Sequence, residues 1–329
     1  MHLPHDIASR ILGGTSLGFS CTPDGNVQEW PRSTYGIYPP VGYLPWNVLE
    51  IGNGDTYGYY WPVGKENQDP VVCTTEHDTY RFVPFASTLE GCLRLVRASD
   101  PGSAGEVRDV ARAFAVKLAD SRKRSPVTDV QALFALDTQS PQLLLEQARA
   151  AMRRGDLGSG EGYAAQALEM VPEFGEAAFV LSQFHQRQGR LEPAARALLV
   201  AIGSPICLSG GYNRRLRCLK ALQRMKDDVY SENDPLWRER QRLTFQTGVT
   251  SNDDFHIYDQ AIEDYHLAGS GTRAVWLRML IGELMSMETR TFQERYGWTP
   301  AKYLQDVRND LLRAGFSSRV TALGLAPDS

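Results

Sequence analysis

Four polar side chains fall on one side of a single predicted helix: His256, Asp259, Glu263 and His266. At about 100° per residue they span an arc of roughly 80°. Histidines and carboxylates so placed could ligate a metal or act as an acid–base pair. Ile257, Tyr258, Ala261, Ile262 and Tyr265 occupy the opposite side, and an amphipathic helix needs a wet face. A solvated face is therefore expected, with no metal and no cofactor. Gly14-Thr15-Ser16-Leu17-Gly18 matches the nucleophile-elbow pattern Gly-x-Ser-x-Gly. That motif needs a strand before the serine and a helix after it, yet only 13 residues precede it and 19–25 do not read as helix. A glycine-rich loop fits better. The sequence has no Gly-x-x-x-x-Gly-Lys-Ser/Thr loop and no His-Glu-x-x-His. No catalytic residue is assigned and no enzyme is expected.

A different chemistry is offered by Asp55, Glu66, Asp69, Glu76 and Asp78, mixed with Tyr57, Tyr59, Trp61 and Tyr80. Rings supply buried area and carboxylates supply steering, so exposed together they would dock a cationic protein. Alternate residues of a strand face opposite ways, so half of these aromatics could instead lie in the core. Charge is unevenly spread: residues 1–100 carry 6 Lys/Arg against 11 Asp/Glu, and the remainder carries 29 against 28. An acidic first domain disfavours nucleic acid as its ligand and suits a basic partner, although ordinary solubility charge explains the same balance. Arg122-Lys123-Arg124 reads as a solvated connector.

The five cysteines, Cys21, Cys73, Cys92, Cys207 and Cys218, are odd in number and show no Cys-x-x-Cys spacing. Reduced thiols in a cytoplasmic protein are expected. The longest apolar run, 197–202, is too short to span a bilayer. The opening residues lack a basic stretch followed by an apolar one, so no signal peptide is expected.

These residues must be positioned by a chain long enough for two domains. Stretches 58–63 and 70–75 are β-branched or aromatic and bounded by turn residues, which predicts strands. Asn53-Gly54-Asp55 is turn chemistry. Phe85, Leu89, Cys92, Leu93 and Val96 recur at helical spacing behind a Ser87-x-x-Glu90 capping box. Asp100-Pro101-Gly102-Ser103 is the expected domain boundary. Ser103-x-x-Glu106 then opens a helix carrying Val107, Val110, Phe114 and Leu118, and Thr128-x-x-Gln131 opens a short one. Ser140-Pro141 is an N-cap with proline at the first helical position. Further helices are expected near 216–225, 237–245, 255–267 and 272–296, with a last one from Thr299-Pro300 to Gly315.

From 140 to 205 the sequence repeats at 34 residues: Leu144, Ala148, Gly155, Leu157 and Ala167 are answered by Ala178, Ser182, Gly189, Leu191 and Ala201. This period, with small residues where helices cross and glycine at the turn, resembles two tetratricopeptide repeats. In that register Arg149, Arg153, Gln183 and Arg187 either line a concave groove or are simply solvated. Residues 44–96 resemble the SUKH superfamily. The resemblance rests on Trp46-Asn47-Val48-Leu49-Glu50-Ile51-Gly52-Asn53-Gly54-Asp55, the strand around Tyr59-Tyr60-Trp61, Pro70-Val71-Val72, and Phe85-Ala86-Ser87-Thr88-Leu89-Glu90-Gly91-Cys92-Leu93.

The expected architecture is thus an α+β SUKH-like domain over 1–100 and a helical connector over 101–139. Two tetratricopeptide repeats follow over 140–205, extended and capped by divergent helices over 206–329. The resemblance implies an immunity protein of a bacterial polymorphic-toxin system, which binds a cognate toxin, often a nuclease, and occludes its active site. It implies neither nucleic acid nor membrane as partner. The rival expectation is a scaffold whose repeats hold a peptide or protein. A third is an enzyme using a metal at His256 and His266.

Overall fold

The computed structural model describes residues 40–45, 55–76, 78–79, 81–113, 116–118, 126–230, 233–244, 252–286, 297 and 299–322. They fall into two compact units, one over Tyr43–Pro172 and the other over Glu173–Ser329 with 40–42.

The first unit begins with β1 (Tyr43–Pro45), β2 (Tyr57–Tyr60), β3 (Val71–Glu76) and β4 (Arg81–Ala86), an antiparallel sheet in the order β1-β2-β3-β4. Tyr43 faces Tyr60 across β1–β2, and Tyr59 faces Val72 across β2–β3. The pleat alternates side chains between the two faces. Tyr43, Tyr60 and Phe82 cluster edge to face, with ring centroids 5.0 and 5.1 Å apart. Tyr59, Trp61, Val72 and Ala86 join another cluster with Leu89, Cys92, Leu93 and Val96 of α1 (Leu89–Ser99). Burial on both faces explains why β3 reads Val-Val-Cys-Thr-Thr without polar alternation.

The helix after the sheet starts one residue later than the capping box predicts. Thr88, not Ser87, caps α1, its Oγ1 accepting from Gly91 N at 3.0 Å. Phe85 lies in β4 rather than on the helix. Ser87 is drawn elsewhere: its N and Oγ donate to Asp137 Oδ2 and Oδ1 at 2.8 and 2.6 Å. A 3₁₀ turn (Pro101–Ser103) then leads into α2 (Ala104–Ala113). Asp100 caps that turn, accepting from Gly102 N at 2.9 Å, and α2 begins directly after Ser103, where Ser103-x-x-Glu106 places a helix start. Leu118 lies beyond the end of α2, and Phe114 lies outside the described residues. Asp129, not Thr128, caps the short α3 (Val130–Phe134). Ser140 caps α4 (Pro141–Arg154) as its sequence requires, with Oγ accepting from Leu143 N at 3.2 Å. Gly155, at φ 78°, turns the chain into α5 (Leu157–Met170). The two-residue connection makes α4 and α5 an antiparallel hairpin.

No break occurs at 100. Ser140 Oγ also donates to Phe85 O at 2.6 Å, and Val127 N donates to Ala98 O at 2.8 Å. Val107, Val110, Ala111 and Leu143 share the core of Tyr59 and Trp61. The expected connector and first hairpin thus pack in one compact unit with the sheet, and the chain passes into its second compact unit between Pro172 and Glu173.

The second unit opens with another hairpin, α6 (Gly175–Arg187) and α7 (Leu191–Gly203), turned by Gly189 at φ 73°. Then come a 3₁₀ turn (Ile206–Leu208), α8 (Tyr212–Gln223), α9 (Pro235–Glu239), α10 (Asn252–Leu267), α11 (Gly271–Ser286), α12 (Pro300–Arg313) and α13 (Ser317–Ala322). The helix expected over 237–245 is shorter and earlier. Asp234 caps α9 by accepting from Leu236 N and Trp237 N at 2.9 and 3.1 Å. Arg240 ends it, donating to Trp237 O at 2.8 Å with its guanidinium 3.7 Å from the Trp237 ring centroid. Beyond Ser286 the predicted helix to 296 lies outside the described residues. Cys73, Cys92, Cys207 and Cys218 are buried thiols outside any disulfide, and Cys21 lies outside the described residues. Among the described residues no helix is long and apolar enough to cross a membrane.

Asp137 carries a structural load that can be measured. Asp137→Ala leaves the Ser87 and Gln139 amides without their acceptor, and each stranded donor costs about 1–3 kcal/mol. Urea denaturation is expected to show a loss of about 2–4 kcal/mol. An unchanged midpoint would mean the carboxylate is dispensable.

Candidate partner-binding surfaces and the C-terminal polar network

The acidic–aromatic set does not form one exposed surface. Tyr59 is 4% exposed and packs beside Trp61 at 6.2 Å between ring centroids. Asp55 and Glu66 are 7% and 5% exposed, and Glu66 Oε1 accepts from Gly64 N at 3.1 Å. These three candidates are internal: the pleat of β2 directs Tyr59 inward, the turn after β2 does so for Glu66, and Asp55 is buried ahead of the strand. Tyr57 is half-buried, edge-on to Phe85 at 5.5 Å. Burial, aided by Cys92 and Asp100, pushes its phenol well above the usual range. What remains outside is acidic: Asp69 and Asp78 are exposed, and Glu76 is held by Arg81 at 3.3 Å and by Thr79 at 2.9 Å. Tyr80 lies outside the described residues, as do His77, Asn53, Gly54, the Gly-x-Ser-x-Gly stretch and Arg122-Lys123-Arg124.

On the first hairpin Arg153 is exposed, while Arg149 is half-buried and pairs with Glu146. On the second hairpin Arg187 is exposed and Gln183 half-buried. Arg149 and Arg153 belong to one unit and Gln183 and Arg187 to the other.

The polar arc of α10 has more partners than a solvated face would have. His256, Asp259 and Glu263 are exposed, but α11 and α12 bring charges onto them. Arg313 grips Glu263 with two hydrogen bonds of 2.6 and 2.9 Å, which holds that carboxyl below the usual carboxylate range. His266 Nε2 meets Asp310 Oδ1 at 2.9 Å, and both side chains are buried. Arg278 donates through Nε to Asp310 Oδ2 at 2.7 Å and through Nη1 to Asp259 at 3.3 Å. The expectation of a fully wet face is corrected at His266, which α12 roofs over. Among the described residues no His, Cys, Asp and Glu side chains gather into a metal-holding group.

A second set of charges lies deeper. Between α7 and α8 the chain turns sharply at 204–208, leaving carbonyls behind it and amides ahead. Arg215, buried on α8, donates to Ile202 O and to Ser204 O, caps for the C-terminus of α7. Glu283, buried on α11, accepts from Ile206 N and, at 3.2 Å, from Cys207 N. Burial pushes the Glu283 carboxyl above its usual range, although these donors and Arg215 pull it back. A third carboxylate, Asp234, takes the Tyr265 hydroxyl at 3.1 Å and Arg273 besides its two cap amides. Asp310, Arg278, Arg313, Glu283 and Arg215 were not singled out from sequence. Their partners lie 32 or more residues away in most cases, as with Glu283 and Ile206, 77 apart.

Two family models match this chain: a YfbP N-terminal domain over residues 26–104 and a YfbP C-terminal domain over 246–321. The former takes in the sheet and α1, the latter α10 to α12 with the polar network, and the helical hairpins lie between. The chain is also similar to an uncharacterized protein YfbP of Escherichia coli (strain K12), 26% identical over 264 residues. That covers 79% of this chain and 84% of the relative.

The sign of the Glu283 effect is testable. An acid raised by folding contributes fully below its unfolded value, near 4.5, and loses that contribution as pH climbs through its folded value. Glu283→Gln imitates the neutral form. The stability of the wild type relative to this variant is therefore expected to fall as pH rises from about 4.5 toward neutrality. Parallel urea titrations across that range check it; a relative stability that rises with pH would mean the charged form is favoured inside.

Proposed function

We propose that the protein is an immunity protein that neutralises a cognate toxin by covering it. The observation that carries this reading is the order of elements in the first unit. An aromatic strand, a Val-Val strand, β4 ending in Phe85-Ala86 and a closing helix capped by Thr88 follow one another, an order that supports the SUKH resemblance. The unit then continues through α2 and α3 into a helical hairpin with Ala148 and Ala151 buried where the helices meet and glycine at the turn, which supports the tetratricopeptide resemblance. Interaction surface is what such elements offer.

The internal position of Asp55, Tyr59 and Glu66 changes how binding would work. Asp69, Glu76 and Asp78 are left as a carboxylate rim, which steers a basic partner and raises its association rate more than it lengthens the lifetime of the complex. The anchoring contacts then fall to the hairpin, where Arg149 and Arg153 are the candidates. A nuclease domain, basic because its substrate is a polyanion, is a fitting partner for the rim.

The second reading is an adaptor that holds a protein through its hairpins α4–α5 and α6–α7, with no toxin involved. Both hairpins have the αL glycine and small-residue crossing that this reading needs.

Co-expression with a candidate toxin domain taken from a neighbouring gene tests the first reading. Cells are expected to survive, and the two proteins to co-purify. Asp69→Lys with Asp78→Lys is expected to slow association by roughly tenfold with little change in dissociation, as measured by surface plasmon resonance. Cell death without co-purification would remove the immunity reading and leave the adaptor.

A further inference from the structure

A cleft of about 160 Å³ opens among α10, α11 and α12. Its floor is apolar, made by Phe255, Ile281, Met285 and the ring of Tyr303, all of them buried. Its rim carries both signs of charge, Asp259 and Asp306 against Arg278 and Lys302. Arg278 spends Nε on Asp310 and Nη1 on Asp259, and its Nη2 makes no hydrogen bond among the described residues. Asp306 is half-buried and hydrogen-bonds to no described residue. Burial raises its carboxyl above the usual range, more than Arg278 and Lys302 lower it. A carboxylate drawn partly out of water beside an apolar floor gains most from a cationic donor that completes its hydrogen bonding.

We propose that this cleft binds a small apolar α-amino acid, its ammonium on Asp306, its carboxylate toward Arg278 and Lys302, and its side chain on the floor. The floor fits the side chain, since a cavity of about 150 Å³ takes an apolar body such as benzene, and the charged ends then lie at the rim. A nucleotide is too large. A phosphate or a simple carboxylate would meet two rim carboxylates, and a simple amine would meet two rim cations. A zwitterion with an apolar body satisfies both signs and the floor together.

The test is calorimetric titration of the full chain with L-leucine and L-methionine. The controls are leucinamide, which lacks the carboxylate, and 4-methylpentanoate, which lacks the ammonium. At least one of the two amino acids is expected to bind, with both half-ligands weaker by about tenfold or more. Asp306→Asn is expected to weaken binding as much while leaving the melting temperature unchanged, and Lys302→Ala to weaken it less. No binding by either amino acid at about 20 mM, where a millimolar site would be filled, overturns the proposal. So does leucinamide binding as tightly as leucine, or Asp306→Asn binding as tightly as the wild type.

Discussion

The Asp137 carboxylate holds the end of the sheet against the start of the helical hairpin. It accepts from Ser87 N and Oγ and from Gln139 N, while Ser140, three residues on, caps α4 and donates to Phe85 O. These bonds sit where β4 ends, α1 begins and α4 begins, points at which backbone groups have no partner in their own element. The site is also tight. A methyl group at Gly91 would lie 2.5 Å from Asp137 Oδ2, so α1 can approach only because residue 91 lacks a side chain. The sheet and the hairpin are thus held in a fixed relation.

The second unit uses the same device with other residues. Glu283 and Asp254 each reach from a helix to backbone amides of a separate segment, Asp234 caps its own helix while holding Tyr265 and Arg273, and Arg215 serves the carbonyls at the end of α7. Buried charges are costly unless fully bonded, and each of these has at least two partners. Gly282 has the role of Gly91, because a side chain there would run into the Tyr303 ring where α11 crosses α12. This crossing also forms the floor of the cleft. Fold and cleft therefore share the same residues.

What could be read from the sequence was local. Ser140-Pro141 at the start of α4, the αL glycines at 155 and 189, and the Val-Val strand are determined within a few residues. β4 was hidden because Phe85 also fits a helical period and Pro84 argues against a strand. Pro84 is tolerated beside the register shift at Val72/Cys73, on the outermost strand of the sheet. The cap was misplaced by one residue at Ser87 and Thr88, because Asp137, 50 residues away, claims Ser87, and by one residue at Thr128 and Asp129. Which face of β2 lies inward at Tyr59, and the pairing of His266 with Asp310, depend on tertiary contacts that no spacing rule encodes.

Native-state hydrogen exchange on the full chain tests most directly whether the sheet and the first hairpin are one body. Slow amides in β3, β4 and α4 are expected to exchange with a common free energy of opening, and to fall together in Asp137→Ala. If the strands opened while α4 stayed protected, the two would be independent domains and the account built on their union would fail.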